Sequence, residues 1–410
     1  MKLSYFQICR PASVARTMLA AGLCVSAAAN AEPFDTIHPY LSTGLSYDAN
    51  LLGLSSDAQA MQILGSTNKG DWSHFEQVGV SLDDQIGLQH ITADVNETKA
   101  QYDRFTGLDY HSLVASGAWN WSLGTHVGGI LSAGYSQSLA PYTFLHVPDL
   151  NLRTQKNGEA SIFWLFHPSW RLDAGVTAIQ TNYNLPIEAA NDRNEYRASV
   201  GLDYLQANGS ATGIQLVQTR GYFDNPQSYG AYDIINNYSQ DEVDAKIDWR
   251  LTGKTRLQFV GGWVHRKYDV LTDQDYRGVN ARAILDWSIT GKSSLNVQAW
   301  HEIGAIDNLT VAYSINRGLS LGPRWDVTEK LRWDLTLQTL QMQFAQTASL
   351  FGQPTDGVTY HQNSARTTLT YMATPKWQFQ ATLYSSWQST SDHSNDFRGS
   401  GIQCSTRYQF

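Results

Sequence analysis

From residue 242 the chain alternates strictly between two kinds of side chain. Glu242, Asp244, Lys246, Asp248 and Arg250 occupy the even positions, and Val243, Ala245, Ile247, Trp249 and Leu251 the odd ones. A period of two places each set on its own face of a strand, whereas a helix would scatter both sets around its axis. The rhythm returns at Val279, Ala281, Ala283, Leu285, Trp287 and Ile289, opposed by Asn280, Arg282, Asp286 and Ser288. It returns again at Trp377, Phe379, Ala381 and Leu383, opposed by Gln378, Gln380, Thr382 and Tyr384. Read along the whole chain, it predicts strands at 39–48, 74–86, 89–102, 108–122, 126–138, 157–167, 170–183, 192–206, 210–222, 239–251, 255–269, 277–290, 293–305, 309–325, 331–346, 358–373, 376–391 and 396–410. About 18 strands with one apolar and one polar face predict an all-β fold: an up-and-down antiparallel barrel that crosses a membrane.

The connections sort by parity. Gly124, Pro168, Gly209, Gly253, Gly291, Thr328 and Pro375 lie in short turns on one side, and the longer segments 139–156, 184–191, 223–238 and 347–357 fall on the other. Bacterial outer-membrane barrels have this asymmetry, with short turns inside and long loops outside. A hairpin-sized repeat runs beneath it: Trp249, Trp287 and Trp325 each precede a tight polar turn and are 38 residues apart, as a barrel written as repeated hairpins requires. Only Pro323 falls inside a predicted strand, and simple alternation turns Arg317 outward. A register shift around 315–323 is the expected repair.

Composition adds the compartment. Lys2, Arg10 and Arg16 precede the apolar run 18–28, and Ala29-Asn30-Ala31 offers small residues for cleavage, so residues 1–31 read as a signal peptide and 32–410 as one barrel. Beyond that segment no apolar run reaches the 18 residues of a membrane helix. Removing those three bases leaves 26 of the 29 basic residues against 37 acidic, a balance of −11, which disfavours nucleic acid as a partner. Cys404 is then the one remaining cysteine, so neither an internal disulfide nor a cysteine metal site is expected. Residues 48–73 form the long non-strand stretch near the start; Asp57 to Leu64 there can make two helical turns, as a partial plug or an external loop.

At the other end Ile402, Cys404, Thr406, Tyr408 and Phe410 alternate with polar residues. A last strand closing on Phe410, with an aromatic two residues before it, resembles the signal read by the bacterial barrel-assembly machinery, which makes that machinery and outer-membrane lipid the expected partners.

No catalytic set, metal site or cofactor is predicted. His361, Asn363 and Ser364 resemble the residues of outer-membrane phospholipases, but His361 and Ser364 point to opposite faces of one strand. His265-Arg266-Lys267 reads as an external rim. The candidate lumen-lining residues are Glu242, Asp244, Lys246, Asp248, Arg250, Arg282 and Asp286, joined by Trp300 and Tyr384. Opposed charges set the field inside a pore or else satisfy one another across strands, and the two rings can stack on sugars or pack locally. Both choices are open at this level.

Pro39-Tyr40-Leu41-Ser42, Tyr47-Asp48-Ala49-Asn50-Leu51, Tyr102-Asp103-Arg104-Phe105, Leu108-Asp109-Tyr110 and Trp119-Asn120-Trp121-Ser122-Leu123-Gly124 resemble the EpsL-type outer-membrane proteins of exosortase (PEP-CTERM) and exopolysaccharide loci. Ala49, Leu52 and Gly53 depart from that family's pattern. The resemblance implies a barrel for export or surface assembly of an extracellular polysaccharide, working with periplasmic export proteins. A general or sugar-selective diffusion porin is the alternative, and a structural or adhesive surface protein a third class that the modest loops disfavour.

Overall fold

The structure, a computed structural model, describes residues 36–410 apart from 143–144, 230–231, 305–312, 346–356 and 394. The expected signal peptide, residues 1–31, and its expected cleavage site lie outside the described residues. The strands are β1 (Ile37–Asp48), β2 (Asp71–Ile86), β3 (Gln89–Tyr102), β4 (Tyr110–Leu123), β5 (Val127–Leu139), β6 (Leu152–His167), β7 (Trp170–Tyr183), β8 (Arg193–Leu205) and β9 (Ala211–Phe223). A two-stranded loop hairpin, β10 (Gln227–Tyr229) and β11 (Tyr232–Ile234), follows. Then come β12 (Tyr238–Thr252), β13 (Thr255–Tyr268), β14 (Tyr276–Ser288), β15 (Ser293–Gly304), β16 (Ser314–Asp326), β17 (Leu331–Phe344), β18 (Thr359–Thr374), β19 (Trp377–Thr390) and β20 (Phe397–Gln409). All but β10 and β11 form one 18-stranded sheet in which each strand pairs antiparallel with its neighbours. It closes where β1, already paired with β2, also pairs with β20. Closure removes every sheet edge, the condition for a sheet to sit in hydrocarbon.

The side-chain alternation decides which face is which. Val243, Trp249, Trp263, Val279, Trp287, Trp325 and Leu383 are large, apolar and 42–58% exposed, whereas Glu242, Asp244, Lys246 and Asp248 between them are buried. The exposed face is therefore the greasy exterior. Trp377 and Trp387 lie ten residues apart on the outward face of β19, about 33 Å along a strand. At a tilt of about 40° this is about 25 Å along the membrane normal, the height of the apolar band between the aromatic girdles of such barrels. The strands run past this band at the long-loop end. There Arg317 donates from Nε to His301 Nδ1 at 3.1 Å and Arg277 to His265 Nε2 at 3.2 Å, both arginines in exposed or half-exposed outward positions.

The expected register shift around 315–323 is absent. β16 keeps one offset against β15 from Ser314 to Trp325, and against β17 the offset before Leu321 is the same as after Arg324. Pro323 interrupts the ladder because it has no N–H to donate, but inserts no residue. Arg317 stays outward near the long-loop end of β16 without a shift of register, its Nε bonded to His301. Strand β6 begins five residues before its predicted start; Arg153 to Lys156 are polar on both faces, and the apolar signal starts only below them.

The closing seam needs a glycine. A Cβ on Gly44 in β1 would stand 1.8 Å from the Cys404 carbonyl oxygen of β20, so the two backbones approach more closely than any side chain permits. At the long-loop end, residues 49–70 cross toward neighbouring loops. Helix α1 (Asp57–Leu64) starts on the Ser56 side chain and stops at Gly65 in the left-handed region. Leu51, Leu52, Leu54 and Ala60 bury against Leu108 and Tyr142. His146 donates from Nδ1 to the Leu52 carbonyl at 2.8 Å, and its Nε2 lies 3.0 Å from Asn395 Oδ1. The loops after β1, β5 and β19 are thus tied into one lid at the mouth.

Candidate functional site: the lumen wall

The inward row of β12 is not a line of free charges. Lys246 Nζ reaches Asp203 on β8 at 2.9 Å and Asp173 on β7 at 2.7 Å, two and three strands away. It crosses β9 at Gly213, where a Cβ would meet Asp203 Oδ1 at 2.2 Å, and β8 at Gly201, where a Cβ would meet the ammonium itself at 2.6 Å. Arg171 donates to Asp203 at 2.6 Å. Asp248 takes both arms of Arg256 at 2.7 and 2.6 Å. Glu242 accepts from Gln240 and Asn280 at 2.7 and 3.0 Å, and Asp244 from Gln215 at 2.9 Å. Arg250 lies over Gly209 at the short turn, and Asp286 accepts from Asn296 at 2.7 Å. Planar two-point pairing of this kind is the strong form of a charged hydrogen bond. The wall is polar, with Lys246, Arg171 and Arg256 each meeting a carboxylate, whereas Asp244 and Asp286 are held by side-chain amides.

Arginines stacked on aromatic rings form a second pattern. The Arg282 guanidinium stands 5.5 Å from the Trp300 ring centre and is held by Glu302 at 2.8 and 2.6 Å. Arg366 lies 5.4 Å over Tyr384, whose hydroxyl donates to Asp48 at 2.7 Å. Arg407 lies 3.6 Å over Tyr40, and Arg266 4.1 Å over Tyr238. Cation–π attraction of this sort strengthens as the pair loses water. The rings rest on glycines of adjoining strands: a Cβ would strike Trp300 at Gly318, Tyr384 at Gly401, Tyr40 at Gly79 and Tyr238 at Gly221 within 2.1–2.3 Å. Trp300 and Tyr384 are accordingly packed into the wall, on β15 and β19, and do not meet.

One reading of the sequence is corrected here. Alternation splits His265-Arg266-Lys267: its outer members face out, but Arg266 turns inward, is 3% exposed, and bonds Gln240 at 2.7 Å. Tyr238 beside it donates to Glu195, and Tyr268 and Tyr313 stack 6.1 Å apart. His361 and Ser364 point to opposite faces of β18. Among the described residues no three acidic, histidine or cysteine side chains cluster as metal ligands.

The motifs at 47–51 and 102–110 fasten loops. Asp48 accepts from the Asn50 amide at 2.8 Å, and Asn50 bonds Leu54 and the Arg398 carbonyl. Asp109 accepts from the Tyr102 amide at 2.7 Å across a 3₁₀ turn. Asp275 does the same for Tyr268 at 2.9 Å and Asp192 for Tyr183 at 2.7 Å. The first two clamps share one spelling, Tyr-Asp, two residues, Thr, two residues, Asp-Tyr, at 102–110 and 268–276. That match was available in the sequence as a second repeat, 166 residues apart rather than 38.

Residues 192–410, more than half of the chain, match the model of the family described as "Putative beta-barrel porin 2". The chain belongs to this family. It is an outer-membrane β-barrel porin, and its N-terminal seven strands lie outside the matched span. No curated protein matches it. Among solved structures it is similar to the outer membrane protein OpdK of Pseudomonas aeruginosa at 12% identity, over 92% of this chain and 99% of that one, with a TM-score of 0.48. It is also similar to OccK9 (OpdG) of the same organism at 10% identity, over 92% and 99%, TM-score 0.48. OccK2 (OpdF), solved in complex with glucuronate, is 11% identical over 91% and 98%, again at 0.48.

The sequence pattern points to the β12 row of this porin and to Arg282, but not to the row's neighbours Arg171, Asp173, Asp203 and Arg256, nor to Glu302 beside Arg282, nor to the stacked Arg366 and Arg407. Each sits at an inward position of its strand and was recoverable from alternation alone; which inward charges would meet depends on the register between strands three apart.

Proposed function

We propose that this porin passes small polar solutes by diffusion through its lumen. A barrel of 18 strands is wide enough for an aqueous channel. The observation that carries the reading is the inner wall, where charges on β7, β8, β12, β13, β14 and β15 are paired at 2.6–2.9 Å. Such a lining is wettable without holding any one ion tightly, so passage is set by size and polarity more than by charge sign. The loops after β1, β5 and β19 are joined to one another on one side of the mouth. Swelling of liposomes containing the porin, challenged with neutral sugars and organic anions of rising size, tests this. Rates falling smoothly with size support it, and rates equal to protein-free liposomes overturn it.

Export or surface assembly of an extracellular polysaccharide is a second reading, favoured by the EpsL-type motifs, which lie before residue 125; those at 47–51 and 102–110 fasten the long loops. It would add polysaccharide and periplasmic export proteins as partners. Deleting the gene and measuring surface polysaccharide separates the two, because unchanged secretion leaves only the diffusion reading. Assembly of the barrel by its insertion machinery through the strand ending at Phe410 is part of both.

A further inference from the structure

The outer wall carries a trough that the solute pathway does not use. Along one row of paired residues, Ala93 of β3, Gly117 of β4, Ala133 of β5, Gly158 of β6 and Ala178 of β7 face outward side by side. Five adjacent strands thus present nothing larger than a methyl group, over about 20 Å at the spacing of paired strands. The row below carries Trp119 and Leu131 side by side, then Ala160, then Val176, so larger side chains flank the trough on β4, β5 and β7. The groove between has a volume of about 880 Å³. It ends in the same row at Tyr196 of β8 and Arg220 of β9. Arg220 is exposed, and among the described residues it has no hydrogen bond or ion pair. Lys156, also exposed and outward-facing, lies one row nearer the long loops, paired with Gln180.

We propose that this trough holds an acyl chain of an anionic membrane lipid, with the lipid's phosphate at Arg220. The shape is long, narrow and apolar, as a hydrocarbon chain requires. A cation with no partner of its own, at the edge of a greasy groove, calls for an anion brought there by an apolar tail. A second copy of the chain would have to supply both a ridge to fill the floor and an acid for Arg220. Of the outward acids on these and the adjoining strands, Asp241 is already bonded to Gln218 at 3.1 Å and Glu97 lies beside His111 at 3.3 Å, while Glu76 and Asp84 stand on β2, at the opposite end of the trough from Arg220, so a lipid phosphate is the better complement. The proposal rests on this face lying in the membrane, not on which solute passes through the lumen.

The test is native mass spectrometry of the mature porin, purified in mild detergent and supplied with dimyristoylphosphatidylglycerol or dimyristoylphosphatidylcholine. One phosphatidylglycerol should stay bound under activation that strips phosphatidylcholine. Arg220→Gln should reduce the retained fraction about fivefold, the scale of one exposed charge pair. Ala178→Leu, which fills the floor, should do the same, while Ala281→Leu, on the outer face of β14 away from the trough, should not. Folding of each variant is checked by its heat-dependent shift on a gel, and Arg220→Gln, altering only an exposed tip, keeps the test informative if Ala178→Leu misfolds. Equal retention of both lipids, or unchanged retention in Arg220→Gln, overturns the proposal. So does a stable oligomer that Ala178→Leu disperses, which would assign the trough to a second copy. Liposome swelling by the variants should stay at the wild-type rate, so failure here is distinct from failure of the diffusion reading.

Discussion

Replacing Lys246 by Met removes one cation and leaves two carboxylates facing the gap. Asp203, whose side chain is 1% exposed, keeps Arg171 at 2.6 Å. Asp173, 28% exposed, has Lys246 as its one cation among the described residues, at 2.7 Å. Breaking a fully buried ion pair from one side costs about 3–5 kcal/mol, because a desolvated charge is left behind. Asp173 can recover part of its hydration from the lumen, so the expected loss is near the lower end, about 3 kcal/mol. Removing Asp173 as well should recover part of this: the Lys246→Met/Asp173→Asn pair should show a coupling of about 1–2 kcal/mol. The assay is reversible urea unfolding of the porin in lipid vesicles, followed by tryptophan fluorescence, for wild type, both single variants and the double. A loss below about 0.5 kcal/mol for Lys246→Met would refute the reasoning, since that is what a solvent-exposed pair contributes. It would mean that the β7–β8–β12 ladder is wet and loose.

Gly44→Ala should destabilise the closing seam by about 2–3 kcal/mol, since its Cβ would meet a backbone oxygen at 1.8 Å. Gly322→Ala, with its nearest contact at 3.6 Å, should be near neutral in the same unfolding assay. In the β19–β20 loop, the His393–Asp396 hydrogen bond at 2.8 Å holds His393 above the ordinary histidine value and Asp396 below the ordinary carboxylate value. The raised histidine contributes fully below its unfolded value and fades as pH rises through its folded one. The lowered carboxylate contributes above its unfolded value and fades as pH falls through its folded one. The latch is therefore complete between about pH 4 and pH 6.5. Protection of residues 391–393, 395 and 396 from hydrogen exchange, relative to the intrinsic rate at each pH, should be greatest in that window. His393→Asn, which tolerates the left-handed backbone at φ 58°, should remove the fall on the alkaline side while the acid-side fall persists, because the Thr390 amide still donates to Asp396 at 2.6 Å. Phe410→Ser, which removes the ring packed 5.2 Å from Tyr408, should lower the amount of folded barrel in outer membranes several-fold while leaving precursor synthesis unchanged. Wild-type levels would exclude that ring as an assembly signal.

The barrel was legible because a lipid-facing wall imposes one rule at nearly every second residue. The rule loses force where the wall leaves the hydrocarbon. Arg153 to Lys156 look like loop and Arg317 like a misfit for the same reason: outward positions near the long-loop ends of the strands carry polar side chains and no hydrophobic signal. The candidate lumen residues were legible as a face, since alternation sorts Lys246 from Ile247 without any knowledge of neighbours. Their pairing was not, because Lys246 finds Asp173 only across three strands, over Gly213 and Gly201, and no local pattern encodes that register. Arg266 was lost by treating three adjacent basic residues as a unit, although a strand never presents adjacent residues to one side. The loop clamps at Asp109 and Asp275 lie off the 38-residue tryptophan spacing and repeat at 166 residues instead.

The central claim is that the wall formed by these strands encloses an open, polar path. Planar-bilayer recording with the purified mature porin tests it most directly. Steady unitary conductance that rises in proportion to bulk salt is the predicted result, and folded protein that inserts yet leaves the bilayer electrically silent would contradict it.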